Sequence, residues 1–172
     1  RSTLFPYTTL FRSGSWLEEI FSPSYLFDFF AGLHHVDPEW ASERKRLLFA
    51  QFGIDKYSHM KLAELSTGMR QMTSLVVAIA HDPAVIIFDE PTNGLDLVAA
   101  KTVTDFIFEM REQGKTIVLS THLFDLVKRV CDRVGIIIGG SMVFQDSLSS
   151  LSAGSDLEDL FFKLYDGTRG QR

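Results

Sequence analysis

Hydrophobic positions along the chain follow two periods, which together predict alternating helices and strands. Apolar residues recur at helical spacing from Leu97 to Gln113, and Asp37-Pro38 opens a second helical pattern that stops at Gly53. The apolar run from Ala84 to Phe88 is typical of a strand buried on both faces of a parallel sheet, and Lys115 to Ser120 is predicted as the next buried strand. Since strand and helix alternate, the pattern predicts an α/β fold with a largely parallel sheet.

The remaining segments complete the predicted order of elements. Ser24 to Leu33 is densely aromatic, with Tyr25, Phe29 and Phe30 near helical spacing, and predicts a helix whose Phe-rich face either joins the core or docks a partner. The other predicted elements are a helix up to about Ala80 that His81-Asp82-Pro83 breaks, a helix from Phe124 to Cys131, strands Val134 to Ile138 and Ser141 to Phe144 around Gly139-Gly140, and a helix from Asp156 to Tyr165.

Composition and charge exclude several classes of protein. Seventeen basic and 22 acidic residues leave a net charge of −5, so no broad basic face and no nucleic-acid partner are expected. The longest apolar runs fall far short of the ~20 residues that span a bilayer. The single cysteine, Cys131, permits no internal disulfide and favours a reducing, cytosolic compartment. We therefore expect a soluble, mildly acidic intracellular domain.

The first thirteen residues, RSTLFPYTTLFRS, lack the apolar core of a signal peptide. Codon for codon they resemble the in-frame translation of a short-read sequencing adapter; the alternative is a genuine aromatic tail. We interpret residues 1–13 as an adapter artefact and leave them out of the predicted fold. The true N-terminus is then expected to lie upstream and to be missing.

Two predicted strand ends carry polar side chains suited to catalysis. Asp89-Glu90 follows one strand and Ser120-Thr121-His122 follows the next, and parallel α/β sheets place their sites at such carboxyl ends. One of two adjacent carboxylates can hold a hydrated Mg²⁺ while the other polarises an attacking water, and a histidine nearby can contact a phosphoryl oxygen. Taken singly, each group also fits an ordinary solvated turn or a surface histidine.

Three motifs in order, LSTGMRQ, VIIFDEPTNGLD and VLSTH, resemble those of the ABC-type ATPase family. The resemblance covers essentially Gly14 to Phe162. It implies an incomplete P-loop NTPase-type core, with a mostly parallel sheet and a helical signature subdomain. The implied divisions are a helical subdomain with the signature loop at 14–83, the C-terminal part of the α/β core at 84–150, and a C-terminal helix and tail at 151–172.

The resemblance implies a nucleotide-binding signature loop, in which Ser66 and Gly68 bind the γ-phosphate of ATP held by the opposite subunit. The loop comprises Leu65, Ser66, Thr67, Gly68 and Met69. Thr67 and Met69 depart from the commonest glycine and glutamine, a variation found in the branch that resembles sodium- and drug-export ATPases. Val77 and Leu97 also depart from the family pattern, which affects details of helix packing.

The same resemblance assigns roles at the strand ends. It implies that Asp89 ligates Mg²⁺ through water, that Glu90 is the catalytic carboxylate and that His122 is the switch histidine. Asp96 belongs to the D-loop, which contacts nucleotide and reports across the dimer. The implied cofactors are therefore ATP and Mg²⁺.

One expected motif is missing from the sequence. No G-x-x-x-x-G-K-[ST] stretch occurs, so there is no P-loop lysine and no amide cradle for the β- and γ-phosphates. The adenine-stacking aromatic and the Q-loop glutamine are not identifiable either. Truncation at the N-terminus would account for all three, and the 172-residue chain is expected to hydrolyse no ATP by itself.

The implied function is that of the ATP-hydrolysing subunit of an ABC export transporter, which couples hydrolysis at a subunit-dimer interface to transport. Its expected partners are a second nucleotide-binding subunit and a transmembrane permease, on the cytoplasmic face of the membrane. Two alternatives remain open: a catalytically incompetent fragment that binds partners, and a soluble ABC-type ATPase not tied to transport.

Overall fold

A computed structural model describes residues 8–12, 19–151 and 156–169, with the backbone alone for 8–12 and 169. Contacts divide the chain into two units, one ending at Ser120 and the other beginning at Thr121. The boundaries predicted after residues 83 and 150 stay predictions. The first unit contains β1 (Thr8–Arg12), α1 (Pro23–Leu33), α2 (Pro38–Phe52), α3 (Thr67–Ala78), β2 (Val85–Asp89), α4 (Leu97–Glu112) and β3 (Thr116–Ser120), with short 3-10 turns at Ile54–Tyr57 and Leu62–Glu64.

The three strands of the first unit form a parallel sheet with β2 in the middle. Val85 lies opposite Thr116, and Asp89 lies opposite Ser120. Burial alternates along β2, where Phe88 is fully buried, whereas Val118 of β3 is 52% exposed. The predicted parallel sheet is confirmed, but two predictions of burial are wrong: β2 is not fully buried on both faces, and β3 is not a buried strand. A run of apolar residues cannot reveal that β3 lies at the edge of this sheet.

Strand β1 lies within the segment that was left out of the predicted fold. Thr8 pairs with Val85 and Arg12 with Asp89, in parallel register. The expectation that residues 1–13 lie outside the fold is therefore wrong for these five residues, because parallel pairing uses backbone N–H and C=O groups that any sequence offers. The adapter prediction concerns the origin of residues 1–13 and stays a prediction. Residues 1–7 and 13 lie outside the described part of the chain.

Helices α1, α2 and α3 pack together and share an aromatic core. The rings of Phe27 and Phe49 meet edge to face at 5.7 Å between centroids, and Phe52 meets Phe106 of α4 at 5.1 Å. Local signals set the helix ends: Asp37 accepts the N–H of Trp40 at the start of α2, and Gly53 ends that helix with φ +66°. These predicted boundaries are confirmed.

The buried face of α1 differs from the predicted one. Leu26, Phe27 and Ala31 are buried, whereas Tyr25 and Phe29 are 49% and 52% exposed and their rings stack at 6.2 Å. The interpretation of the Phe-rich face as core is therefore wrong for these two aromatics. Because α1 carries aromatic residues on several sides, their spacing alone cannot show which of them α2 and α3 cover. A docking role for the exposed face stays a hypothesis.

A polar cluster follows α3, where His81-Asp82-Pro83 breaks the helix as predicted. The His81 ring stacks on His34 with 3.8 Å between centroids, and its Nε2 is buried without a hydrogen-bond partner. Arg44 and Lys115 each form an ion pair with Asp82 at 3.0 Å. Burial, helped by the nearby His34 and Arg44, lowers the pKa of His81 to about 4. The imidazole is therefore neutral in the folded protein near pH 7.

The second unit contains α5 (Phe124–Val130), β4 (Arg133–Ile138), β5 (Ser141–Ser147) and α6 (Leu157–Arg169). Strands β4 and β5 form an antiparallel hairpin, which confirms the predicted strand, turn and strand. Gly139 and Gly140 both have positive φ, which a two-residue hairpin turn requires. Helix α6 continues four residues beyond its predicted end at Tyr165. No helix within the described ranges is both long and apolar enough to cross a membrane.

Candidate functional site

The carboxyl ends of β2 and β3 bring three of the predicted polar groups together. Because the two strands are paired in register, Asp89 lies opposite Ser120, and the Ser120 Oγ donates a hydrogen bond of 3.1 Å to Asp89 Oδ1. The N–H of Glu90 donates to the carbonyl of Ser120 at 2.9 Å. Two carboxylates thus sit at the joined strand ends, with Ser120 orienting the first.

The backbone reverses immediately after the sheet. Glu90 has φ +47°, in the left-handed region that non-glycine residues rarely occupy. The N–H of Asn93 donates to the Glu90 carbonyl at 3.2 Å, and Gly94 follows with φ +75°. Asp96 then caps α4 by accepting the N–H of Ala99 at 2.8 Å. Asp96 therefore has a structural role, and its contact with nucleotide stays a prediction.

The predicted signature loop leads into the first turn of α3. Ser66 is the N-cap residue, and its Oγ accepts the N–H of Met69 at 3.2 Å. The hydroxyl proton remains able to donate, and the leading amides of Thr67 and Gly68 precede any intrahelical acceptor. Ser66 and Thr67 are exposed, whereas Leu65 is only 4% exposed. The side chain of Leu65 therefore packs in the core, so only its backbone is available to a ligand.

Helix α3 contacts the segment from Glu90 to Asp96, which we call the post-strand loop. The Gln71 Nε2 donates a buried hydrogen bond of 3.0 Å to the carbonyl of Pro91. A Cβ built on Gly68 would lie 3.8 Å from Leu95 Cδ2. The sequence motifs assign no role to Gln71, although its spacing of four residues from the buried Leu75 places a polar side chain on the apolar face of α3.

His122 belongs to the second unit, two residues after the end of β3. Its side chain is exposed. In the next turn, Thr121 Oγ1 accepts the N–H of Leu123 at 3.2 Å. The predicted role of His122 as a switch histidine stays a prediction.

Asp89 would supply one part of a magnesium site. Within the described ranges, no group of three histidine, cysteine or carboxylate side chains is placed to hold a metal ion. Mg²⁺ commonly binds through one or two carboxylates together with waters and substrate phosphates. Asp89, oriented by Ser120, fits such a partial site. The hydroxyls and leading amides at the start of α3 likewise fit a phosphate group.

Comparison with known proteins identifies the family. A family profile described as "AAA domain, putative AbiEii toxin, Type IV TA system" matches residues 9–127, which is more than half of the chain. The chain belongs to this AAA-domain family. The AAA domain also matches a solved structure described as the ATP-binding subunit of an ABC transporter, with a TM-score of 0.87 and 24% identity over 93% of this chain and 69% of that one. This likeness confirms the P-loop NTPase-type fold.

Similar proteins include many ABC transporter ATP-binding proteins, which confirms the resemblance seen in the sequence. The chain is 41% identical over 98 residues to the uncharacterized ABC transporter ATP-binding protein MJ1023 of Methanocaldococcus jannaschii, covering 57% of this chain and 37% of that protein. It is 33% identical over 132 residues to the ABC transporter ATP-binding protein NatA of Bacillus subtilis, covering 77% and 54%. The chain thus spans roughly a third to a half of the length of these relatives.

Other relatives differ in the direction that their names state. A fluoroquinolones export ATP-binding protein of Mycobacterium tuberculosis is 34% identical over 104 residues, covering 60% of this chain and 35% of that protein. A methionine import ATP-binding protein, MetN of Mannheimia succiniciproducens, is 33% identical over 127 residues, covering 73% of this chain and 37% of that protein. The similarity therefore extends to both exporters and importers.

Proposed function

We propose that the chain is part of the ATP-hydrolysing subunit of an ABC transporter. The observation that carries this proposal is the pair of carboxylates, Asp89 and Glu90, at the hydrogen-bonded ends of β2 and β3. The similarity to ABC transporter ATP-binding proteins supports the same reaction class. The catalysed step is attack of water on the terminal phosphorus of ATP, which breaks the bond to the bridging oxygen and releases ADP and phosphate.

The roles of the residues follow from their positions. When bound, ATP with Mg²⁺ supplies the phosphoryl group and the counter-charge that its oxygens need. Asp89, held by Ser120, would hold Mg²⁺ through water, while Glu90 accepts a hydrogen bond from the attacking water and takes its proton. Ser66 and Gly68 donate hydroxyl and amide hydrogen bonds to the γ-phosphate of nucleotide held by a second subunit. We assign His122, as the switch histidine, to a phosphoryl oxygen of ATP.

The proposal extends to partners and direction. Because Ser66 lies on an exposed helix start, it can face nucleotide held by a second nucleotide-binding subunit, and we propose a dimer that drives a transmembrane permease. The subunit would then work at the cytoplasmic face of a membrane. We propose export, because Thr67 and Met69 and the tail GSDLEDLFFKLYDG resemble the export branch. Because the relatives include both exporters and importers, the direction of transport needs a transport assay of its own.

A second candidate function rests on the sequence itself. It contains no G-x-x-x-x-G-K-[ST] motif, so nothing in it matches the phosphate-binding lysine of a P-loop. A chain of this kind could bind a partner and present its signature loop to nucleotide that the partner holds, without hydrolysing ATP itself. A soluble ATPase that is not tied to transport is the remaining alternative.

Replacement of Glu90 by glutamine tests the proposal in the full-length gene product. Glu90→Gln keeps the shape of the side chain but removes the base, so magnesium-dependent ATP hydrolysis should fall by roughly 10²- to 10⁴-fold. Glu112→Gln, at the exposed end of α4, makes the same chemical change and should leave the rate unaltered. Full activity of Glu90→Gln would remove Glu90 from its role. Absence of any hydrolysis by the wild type would favour the non-enzymatic function.

A further inference from the structure

Gln71 is a polar residue in an apolar place. Four polar side chains among the described residues are buried: Gln71, Thr73, Thr92 and Thr104. Thr73 and Thr104 donate to carbonyls four residues back in their own helices, and the Thr92 hydroxyl has no partner. Gln71 donates to the segment after β2, with 3.0 Å between its Nε2 and the Pro91 carbonyl. Burying an amide is unfavourable unless it is hydrogen-bonded, so this bond stabilises the Gln71 side chain in its buried position.

The amide of Gln71 contacts the post-strand loop next to Glu90. Its Nε2 donates to the carbonyl of Pro91, the residue directly after Glu90. Its Oε1 lies 4.0 Å from where a Cβ on Gly94 would stand, and Gly94 turns the loop with φ +75°. A larger residue at Gly94 would therefore come into contact with Gln71.

The same helix carries the signature residues. Ser66 caps α3, and a Cβ on Gly68 would stand 3.8 Å from Leu95 Cδ2 of the post-strand loop. The first turns of α3 and the post-strand loop are joined by the buried hydrogen bond from Gln71 to Pro91. Because Pro91 directly follows Glu90, this bond holds the backbone next to Glu90.

We propose that Gln71 is a positioning residue, which holds the post-strand loop against α3 so that Glu90 and the Ser66 loop move as one body. This inference rests on the proposed ATPase function. In a dimer, Glu90 would act on nucleotide held by its own subunit and Ser66 on that of the partner. Gln71 then ties the geometry of one nucleotide site to the other, without touching either nucleotide.

Gln71→Met in the full-length gene product tests the positioning role. Methionine has a similar length but cannot donate to Pro91, so the kcat of ATP hydrolysis should fall at least 10-fold while KM changes less than 3-fold, because displacement of a base slows chemistry more than binding. Thr73→Val is the matched control: it removes the partly buried hydrogen bond from Thr73 Oγ1 to the Met69 carbonyl in the same helix, and its kcat should be unchanged. A Gln71→Met kcat within 2-fold of the wild type, or no lower than that of Thr73→Val, overturns the proposal.

Gln71→Glu adds a readout that a merely structural role would not move. The ionised carboxylate cannot donate to Pro91, but the protonated acid can. The ratio of variant to wild-type kcat should therefore rise as the pH is lowered from 8 to 6, since burial raises the pKa of a carboxyl group. A ratio that stays flat or falls over this range contradicts the proposal.

Hydrogen exchange separates failure of this inference from failure of the proposed function. The amides of Asn93 and Leu95 are hydrogen-bonded within the post-strand loop. Gln71→Met should speed their exchange at least 10-fold, whereas Thr73→Val should not, whether or not the protein hydrolyses ATP. Unchanged exchange in Gln71→Met overturns the positioning role. If exchange is faster in Gln71→Met but the protein hydrolyses no ATP, the positioning role stands and only the proposed ATPase function is refuted.

Discussion

Neutral His81 should make the first unit sensitive to acid. In the folded chain its pKa is about 4, against an ordinary value of 6.5, because burial and then the nearby His34 and Arg44 oppose the charged form. The unfolded chain therefore binds more protons than the folded chain between pH 6.5 and 4. By linkage, the free energy of unfolding falls as the pH is lowered through this window and is unaffected above it.

The size of the effect follows from these two pKa values. Between pH 7.5 and pH 5, His81 should lower the free energy of unfolding by about 2 kcal/mol, and by about 3 kcal/mol once the pH is below 4. Other groups titrate over the same range, so the informative quantity is the difference between the wild type and a variant that cannot titrate at this position. His81→Gln is such a variant.

Urea denaturation followed by tryptophan fluorescence measures this difference. Both tryptophans of the sequence precede residue 121, so their emission reports on the first unit. His81→Gln should lose about 2 kcal/mol less than the wild type between pH 7.5 and 5. His59→Gln, at an exposed position, is the matched control and should follow the wild type. Equal losses for His81→Gln and the wild type would refute the assignment of a neutral, buried imidazole.

Two further predictions use matched pairs. Ser66→Ala and Ser22→Ala each remove a serine N-cap, so each should lower the free energy of unfolding by about 1 kcal/mol. Only Ser66→Ala should also slow ATP hydrolysis of the full-length product, by 10-fold or more. Equal rates of hydrolysis in the two variants would leave Ser66 with a capping role alone. Gly53→Ala should destabilise the chain by about 1 kcal/mol because φ is +66°, whereas Gly32→Ala, inside α1 with open space around it, should stabilise it by roughly 0.5–1 kcal/mol. Thermal denaturation of the two glycine variants checks the opposite signs.

Features fixed by nearby residues could be predicted from the sequence. Asp37 with Gly53 marks both ends of α2, and Ser66 marks the start of α3, because capping acts within a single turn. The Gly139-Gly140 hairpin is local in the same sense. The meeting of Asp89 with Ser120 was also predictable, since parallel strands end at a common edge.

Features that depend on tertiary packing could not be predicted. The choice of Phe27 over Phe29 as the buried aromatic of α1 depends on where α2 and α3 lie. The exposure of Val118 depends on β3 being at an edge of the sheet. The hydrogen bond from Gln71 to Pro91 joins segments twenty residues apart. The sequence indicates it only through the polar side chain of Gln71 on the apolar face of α3.

Because the backbone at Glu90 is left-handed, selection for stability and selection for ATP hydrolysis favour different residues at this position. Glycine and asparagine adopt φ values near +47° more readily than glutamate does, so a screen for thermal stability alone would favour them at this position. A screen for hydrolysis would retain the carboxylate. Efforts to build a more robust scaffold from this chain therefore need to hold residue 90 fixed and gain stability elsewhere, for example at Gly32.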